Sequence, residues 1–280
     1  MKTVPSVTSA RSLTTTLALA FFSVSGGALL ISVGLSLFSN IQTQQQTISS
    51  NQQLIAQDAA KSVSSFIEDK FGVLETTIWF TDLSSASQAE QKDVLDSLLG
   101  LQPAFRQIVL LNAQDQPVAQ VSRFPLVLGQ SVDLLKGDIL AQSHQRQRAI
   151  SSVFIDPLTS EPLVVMAVPV TNVFGDFKGT LVTQVNLKFM WDLVDQLDVG
   201  DAGRAYVVDR QGNLIAFGDT GRVLEGENIA NVKAVSEFMT HPASAHPSGV
   251  SIYQGIMGTL VVGTYVPLGA PDWAVLTELP

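Results

Sequence analysis

No charged residue occurs between Arg11 and Asp58, and inside that gap Leu13 to Phe38 reads LTTTLALAFFSVSGGALLISVGLSLF. As a helix these 26 residues extend about 39 Å at ~1.5 Å per residue. The hydrocarbon core of a bilayer is only roughly 30 Å thick, so the stretch is long enough to span it with some tilt. Lys2 and Arg11 precede the stretch, and the next basic residue is Lys61. That asymmetry predicts a cytoplasmic N-terminus (1–12), a transmembrane helix (13–38) and extracytoplasmic residues thereafter, in the cell (inner) membrane. A cleaved signal peptide is the rival reading. Its apolar core is normally about 7 to 15 residues long and ends in a small-x-small site, whereas this one runs into Leu37, Phe38, Ser39 and Asn40. An uncleaved anchor is therefore expected. Gly26 and Gly27, with Ser23 and Ser25, either admit a partner helix closely or only reduce bulk.

Composition excludes several classes of function. The net charge is −9, opposite in sign to what phosphate backbones require, so no nucleic acid is expected. The chain has no cysteine, which removes disulfides, thiolate metal sites and thiol catalysis. Of the 3 histidines, His241 and His246 share a Pro-containing stretch with no carboxylate beside them, a poor ligand set for a metal. No metal and no cofactor are expected. GDFKG at 175–179 has neither the spacing nor the context of a phosphate loop. No spacing of Ser, His and acidic residues marks a catalytic site, and Glu225 and Glu227 sit in a Gly-containing turn.

From Ser39 to about Leu83 there is no Pro and one Gly, Gly72, so a long helix is expected over this region, with a second one through Glu90 to Leu99 (39–100 together). Ile41, Ile48 and Ile55 recur every seven residues, a thin seam that needs a copy of itself or a neighbouring domain. Ala59, Val63, Phe66, Ile67, Lys70, Phe71, Leu74 and Ile78 then follow at steps of three and four, the face of a helix packed on a core. Two helices broken near Ser49, Ser50 and Asn51 are the alternative.

Beyond Leu101 the pattern changes to short strands, and the chain repeats itself. VLLNAQDQPVA (109–119) lies over YVVDRQGNLIA (206–216) at an offset of 97, each a strand, a polar turn and a strand. VVMAVPV (164–170) matches VGTYVPL (262–268) with an offset of 98 at Val168-Pro169 and Val266-Pro267. A closing strand follows in both copies, from Thr180 to Leu187 and from Trp273 to Leu279. The middle segments include Leu134 to Arg148 and Asn231 to Met239, and a connecting helix is expected over Leu187 to Leu197. The fold class is thus α+β: an N-terminal helix, then two antiparallel-sheet modules in tandem, at 101–187 and 201–280 with 188–200 between them. Each leaves a concavity between sheet and middle segment, suited to a small ligand.

The residues GRAYVVDRQGNLIA (203–216), VGTYVPL (262–268) and WAVLTELP (273–280) resemble the membrane-proximal module of the double Cache sensors, whose modules are PAS-like. Residues 106–187 resemble the membrane-distal module. The resemblance implies a long helix running from the membrane along both modules and ligand binding in the distal one; the Ile41, Ile48 and Ile55 seam, which needs a partner, implies a homodimer. The resemblance also implies a second transmembrane helix after Pro280 and a cytoplasmic histidine kinase, cyclase or chemotaxis domain. In amino-acid-binding members a Tyr, an Arg and a Trp-Tyr pair hold the carboxylate, and an Asp of the closing strand takes the ammonium. Here the closing strand reads QVNL (184–187), with Gln184 where that Asp would stand, and the middle segment has no Trp or Tyr.

Three residues are therefore candidates for ligand contact. Arg123 offers a bidentate fork for a carboxylate or serves a solvated loop. Asp156, before Pro157, offers an acceptor or shapes a turn. Gln184 offers both donor and acceptor. Phe154, Met166 and Val168 are expected in the core. The expected function is the extracytoplasmic ligand-sensing region of a transmembrane receptor feeding a histidine kinase. A chemoreceptor, a nucleotide cyclase or a periplasmic protein-interaction module are the alternatives.

Overall fold

The computed structural model describes residues 13–124, 138–197, 199, 202–241 and 249–280. The chain divides into two compact units, Met1–Asn51 and Gln52–Pro280. Helix α1 spans Leu13–Thr81, with no break at Ser49 to Asn51.

In the first unit the apolar stretch is helical, and Leu17, Phe21, Phe22, Val24, Leu29 and Val33 are exposed. Among the described residues no helix is long and apolar enough to cross a membrane. The side chains of Ile41 and Ile48 lie outside the described residues.

In the second unit, α1 turns Ala56, Ala59, Ala60, Val63, Ile67, Phe71, Leu74 and Ile78 inward, all buried. The three-four spacing puts them on one face. Phe66 and Lys70, expected on the same face, sit at its edge: the Lys70 ammonium donates to Gln102 at 3.3 Å and lies over the Phe66 ring. Ile55 is half-buried against this core. Ser87 starts α2 (Gln88–Leu101) with a capping box closed by Glu90, which satisfies amides the helix leaves open.

The distal sheet contains β1 (Phe105–Asn112), β2 (Pro117–Ser122), β3 (Ala149–Ile150), β4 (Phe154–Ile155), β5 (Pro162–Thr171) and β6 (Phe177–Asn186). Its order is β2-β1-β6-β5-β3, with β4 also on β5, and α3 (Asp138–His144) belongs to its middle segment. Helix α4 (Lys188–Asp195) follows. The proximal sheet contains β7 (Arg204–Asp209), β8 (Leu214–Phe217), β9 (Ser251–Gln254), β10 (Leu260–Pro267) and β11 (Trp273–Leu279). Its order, β8-β7-β11-β10-β9, repeats the distal one strand for strand. Helices α5 (Thr220–Leu224) and α6 (Lys233–Thr240) form its middle; α5 and the short β3 and β4 carry no periodicity that announces them.

The repeated hairpins have a common local cause. Asn112 Oδ1 accepts from the amides of Gln114 and Gln116, both at 2.9 Å. Asp209 Oδ1 accepts from those of Gln211 and Asn213, at 2.9 and 2.8 Å. A short polar side chain bonding the backbone two residues on is what turns the chain here. One face of the distal sheet, with Ile108, Leu110, Met166, Val168 and Leu181, joins the large core shared with α1. The other face, with Val109, Leu111, Val165, Ala167 and Val182, forms a separate small core with Ile139, Leu140 and Phe154. The modules are joined by the Trp191 indole of α4, which donates to the Ile215 carbonyl of β8 at 2.8 Å.

Candidate functional site

The second face of the distal sheet is where the repeat leaves room for chemistry. Side chains alternate along a strand, so Gln107 shares this face with Val109 and Leu111, and Gln184 shares it with Val182 and Thr180. Gln107 and Gln184 are direct cross-strand neighbours, which brings their side chains together on one side of the sheet. Gln107 is buried and Gln184 half-buried. Further along the face α3 seals the sheet: the Ser143 and Thr180 hydroxyls, both buried, pair at 2.8 Å.

Arg106 stands one residue before Gln107, where the β1–β6 register shifts. Its guanidinium binds Asp156 at 3.2 Å, Thr159 at 3.1 Å and Glu161 more closely still. It also stacks on the Phe124 ring, 3.8 Å from the centroid. Arg106 is buried at 8% exposure, so its two carboxylate partners are what make the charge tolerable there. A cavity of about 380 Å³ opens beside it, lined by Phe105, Arg106, Arg123, Phe124, Glu161 and Phe189 among others. A second, of about 330 Å³, lies between Thr159 and Glu161 of the distal module, Trp191 of α4 and Phe217 and Thr220 of the proximal module. Glu161 lines both.

The sequence-predicted residues fall into different roles. Arg123 lines the first cavity, yet its guanidinium donates to backbone carbonyls: Phe105 at 2.8 Å, Gln102 at 3.1 Å, and Leu99. Leu99 and Gln102 belong to the open C-terminal end of α2, where a cation is favourably placed. Asp156 accepts from Thr159 Oγ1 at 2.5 Å, from the Leu158 amide at 3.4 Å and from Arg106. It shapes its turn and pairs with Arg106 at the same time. Gln184 is half-buried on the face it shares with Thr180 and Val182, and lines neither of these two cavities. Met166 and Val168 are core, and Phe154 edges the smaller core. Arg106 and Gln107 escaped sequence reading. A lone Arg in an apolar strand, FRQIVLLN, was the signal that could have found them, since a strand interior holds a charge only for a partner.

The proximal copy fills the equivalent space. Val109 pairs with Val182, and its counterpart Tyr206 pairs with Leu276. Two residues back, Gln107–Gln184 therefore corresponds to Arg204–Glu278. Glu278 is 2% exposed. Its carboxylate accepts from the Tyr206 hydroxyl at 2.6 Å and from the Ile256 amide at 3.0 Å. Burial raises the Glu278 pKa above its ordinary value, with the hydrogen bonds from Tyr206 and Ile256 pulling the other way. Burial, then the Glu278 charge, pushes both Tyr206 and Tyr253 upward. A Cβ on Gly255 would lie 2.3 Å from Glu278 Oε2, so the β9–β10 turn closes directly over the carboxylate.

Among the described residues no group of three or more His, Cys, Asp or Glu is placed to hold a metal ion; His246 lies outside them. Arg222 and Glu227 form an ion pair that raises the first pKa and lowers the second.

A family model, dCache_1 (Cache domain), matches residues 39–280. No curated protein matches. Among solved structures, the ligand-binding domain of the Pseudomonas aeruginosa PAO1 amino acid chemoreceptor PctC, in complex with GABA, is similar at 20% identity. That match covers 83% of this chain and 99% of the other, with a TM-score of 0.61. The sensory domain of the Campylobacter jejuni chemoreceptor Tlp3, with isoleucine bound, is similar at 9% identity, covering 85% and 94%, TM-score 0.65. The extracellular domain of the putative histidine kinase mmHK1S-Z2 is similar at 12% identity, covering 82% and 96%, TM-score 0.62. With the family model covering most of its length, this chain belongs to the Cache family of extracellular sensor domains.

Proposed function

We propose that the chain is the ligand-sensing region of a membrane receptor whose distal module takes a small molecule against the Gln107–Gln184 face. The observation that carries this reading is the contrast between the two copies. The proximal face is occupied by its own Tyr206, Tyr253 and Glu278, whereas the distal copy has Gln107 and Gln184 at the corresponding positions and a cavity of about 380 Å³ lined by Arg106, Asn186 and other residues near the same end of the sheet. Gln184 contacts the ligand; Asp156 acts through Arg106, and Arg123 holds the α2 end of the cavity wall. The neighbours' complexes with GABA and isoleucine support small-molecule sensing.

Leu13–Phe38 serves as an uncleaved anchor in the inner membrane, with residues 1–12 cytoplasmic and those after 38 outside. The exposed Leu17, Phe21, Phe22 and Leu29 support it, since such side chains need lipid or a partner helix. Two copies pair along α1, and the output is a histidine kinase in a two-component system; the like fold of the extracellular domain of the putative histidine kinase mmHK1S-Z2 supports the kinase output. A chemoreceptor output is the second reading, favoured by the several chemoreceptor domains of like fold. The test combines a topology reporter with a ligand screen. Alkaline phosphatase joined after residue 45 is active if the anchor reading holds. A saturable thermal upshift of the chain with a small molecule supports sensing, and none with any class of metabolite sinks it.

A further inference from the structure

The Glu278 carboxylate is closed off inside the proximal module and held there by neutral donors. Among the described residues it forms no ion pair; its oxygens accept from the Tyr206 hydroxyl at 2.6 Å and from the Ile256 amide at 3.0 and 3.3 Å. A buried carboxylate without a counter-ion favours its neutral form. The charged groups on the elements packed around it are exposed or already paired. Arg204 of β7, its cross-strand neighbour, is exposed. Arg222 of α5 pairs with Glu227, and Glu237 of α6 pairs with Lys233. Strand β8 and the rest of β11 carry no ionisable side chain. Tyr206 of β7, Tyr253 of β9 and Tyr265 of β10 are buried and shifted upward, so they keep their protons where a carboxylate titrates.

Ile256 joins two parts of this arrangement. Its amide donates to Glu278, and its carbonyl accepts from the Arg222 guanidinium at 3.4 and 3.5 Å. The β9–β10 turn is thus gripped by Glu278 on one side and by the Arg222–Glu227 pair on the other. The two grips respond to acid differently. Arg222 holds Glu227 below its ordinary value, whereas burial holds Glu278 above it. A proton on Glu278 weakens both bonds it accepts, because a bond to an ionised acceptor is roughly twice as strong as a neutral one. It also sets a donor against the Ile256 amide or the Tyr206 hydroxyl. The Tyr253 hydroxyl, buried and without a hydrogen-bond partner among the described residues, is available to accept that proton. A Cβ on Gly263, the cross-strand partner of Glu278, would lie 2.3 Å from Tyr253 Oη, which puts this hydroxyl over the same strand pair. We infer that Glu278 is a proton-operated latch: charged, it holds the β9–β10 turn through the Ile256 amide, and protonated, it lets that turn loosen. The proximal module thereby responds to acidity by itself, whether or not the distal module holds a ligand.

The test compares the full chain with Glu278→Gln in mild detergent, from about pH 4 to 8. Infrared difference spectra read the protonated carboxyl. Hydrogen exchange of the peptide containing Ile256, corrected for the intrinsic pH dependence of exchange, reads the turn. The unaltered chain is expected to lose one buried carboxyl band with a midpoint above 4.5. Over the same interval the turn should gain about tenfold in protection, the return of a charge-assisted hydrogen bond. Glu278→Gln, which cannot ionise, should lack the band and keep the low protection at every pH, with its near-ultraviolet circular dichroism unchanged. Tyr206→Phe removes a donor to the charged form and is expected to move the midpoint up by about one unit. A midpoint at or below 4.5, turn protection that ignores pH in the unaltered chain, or an equal pH dependence in Glu278→Gln overturns the inference. So does a Tyr206→Phe midpoint that stays in place or falls.

Discussion

The Tyr206 hydroxyl donates to Glu278 at 2.6 Å across adjacent strands β7 and β11, inside the proximal module. Glu278 is the penultimate residue of the last strand and is also held by the Ile256 amide of the β9–β10 turn. One carboxylate thus ties the first strand, the last strand and the turn above them. A hydrogen bond to a charged acceptor contributes about 1.5 to 3 kcal/mol. Tyr206→Phe is expected to lower stability by that amount in denaturant unfolding. A loss below about half a kcal/mol would show that the bond does not hold the module together.

Glu278 also makes stability depend on pH in a known direction. Its folded pKa lies above the ordinary value of 4.5 because of burial, so the folded state holds the proton more tightly than the unfolded chain. The stability this contributes is fully present below pH 4.5 and is lost as pH rises through the folded pKa. Glu90 and Glu227 are shifted downward and slope the other way, but they are common to both proteins compared. The difference between unaltered chain and Glu278→Gln is therefore the readout. Stability of the two should run parallel below pH 4.5, separate as pH rises through the folded pKa of Glu278, and run parallel again above it; parallel profiles throughout would refute the assignment.

Arg106 is the buried cation of the distal module, and its removal strands Asp156 and Glu161. Arg106→Met is expected to cost about 3 to 5 kcal/mol. Adding Asp156→Asn and Glu161→Gln should restore part of the loss, because the orphaned charges go with it. Equal stability of the single and triple variants would mean that packing on Phe124, not charge pairing, is what Arg106 contributes.

For Arg123 two roles give opposite signatures. Its bonds to the Leu99, Gln102 and Phe105 carbonyls predict that Arg123→Ala loses about 1 to 3 kcal/mol. Arg123→Lys should recover little, since an ammonium lacks the planar fork. Unchanged stability with abolished ligand response would instead make Arg123 a direct ligand contact.

Gln52 is 3% exposed, and its Oε1 has no hydrogen-bond partner among the described residues. An unpaired buried acceptor is destabilising, so Gln52→Leu is expected to raise stability by about 1 kcal/mol. A loss of similar size would point to a water or a partner satisfying that oxygen.

Much of the fold was legible because its determinants are local. The three-four spacing from Ala59 to Ile78 specifies a helix face, and Asn112 and Asp209 specify the same turn through bonds to amides two and four residues on. The repeat at 97 and 98 residues follows from those turns, and the identical strand orders of the two sheets follow from the repeat. What the residues of α5, β3 and β4 become is different in kind: five-residue and two-residue elements carry too little periodicity to declare themselves and exist because a sheet edge or core receives them.

The candidate site divides along the same line. Gln184 is a candidate in the sequence because it stands in the closing strand where the family pattern has an Asp, and such a pattern is read along the chain. Its neighbour Gln107 lies 77 positions away, and Arg106 meets Asp156 and Glu161 from 50 and 55 positions away. Strand register decides those pairings. Only the folded chain shows that Arg123 is bound to a helix end and that Arg106 is paired with Asp156 and Glu161 beside the pocket. The sequence by itself determined the helix, the turns and the doubled module, because short-range geometry governs them. Which charges stand free to meet a ligand was decided by tertiary structure, because neutralisation of a buried ion depends on partners that only the fold brings within 4 Å.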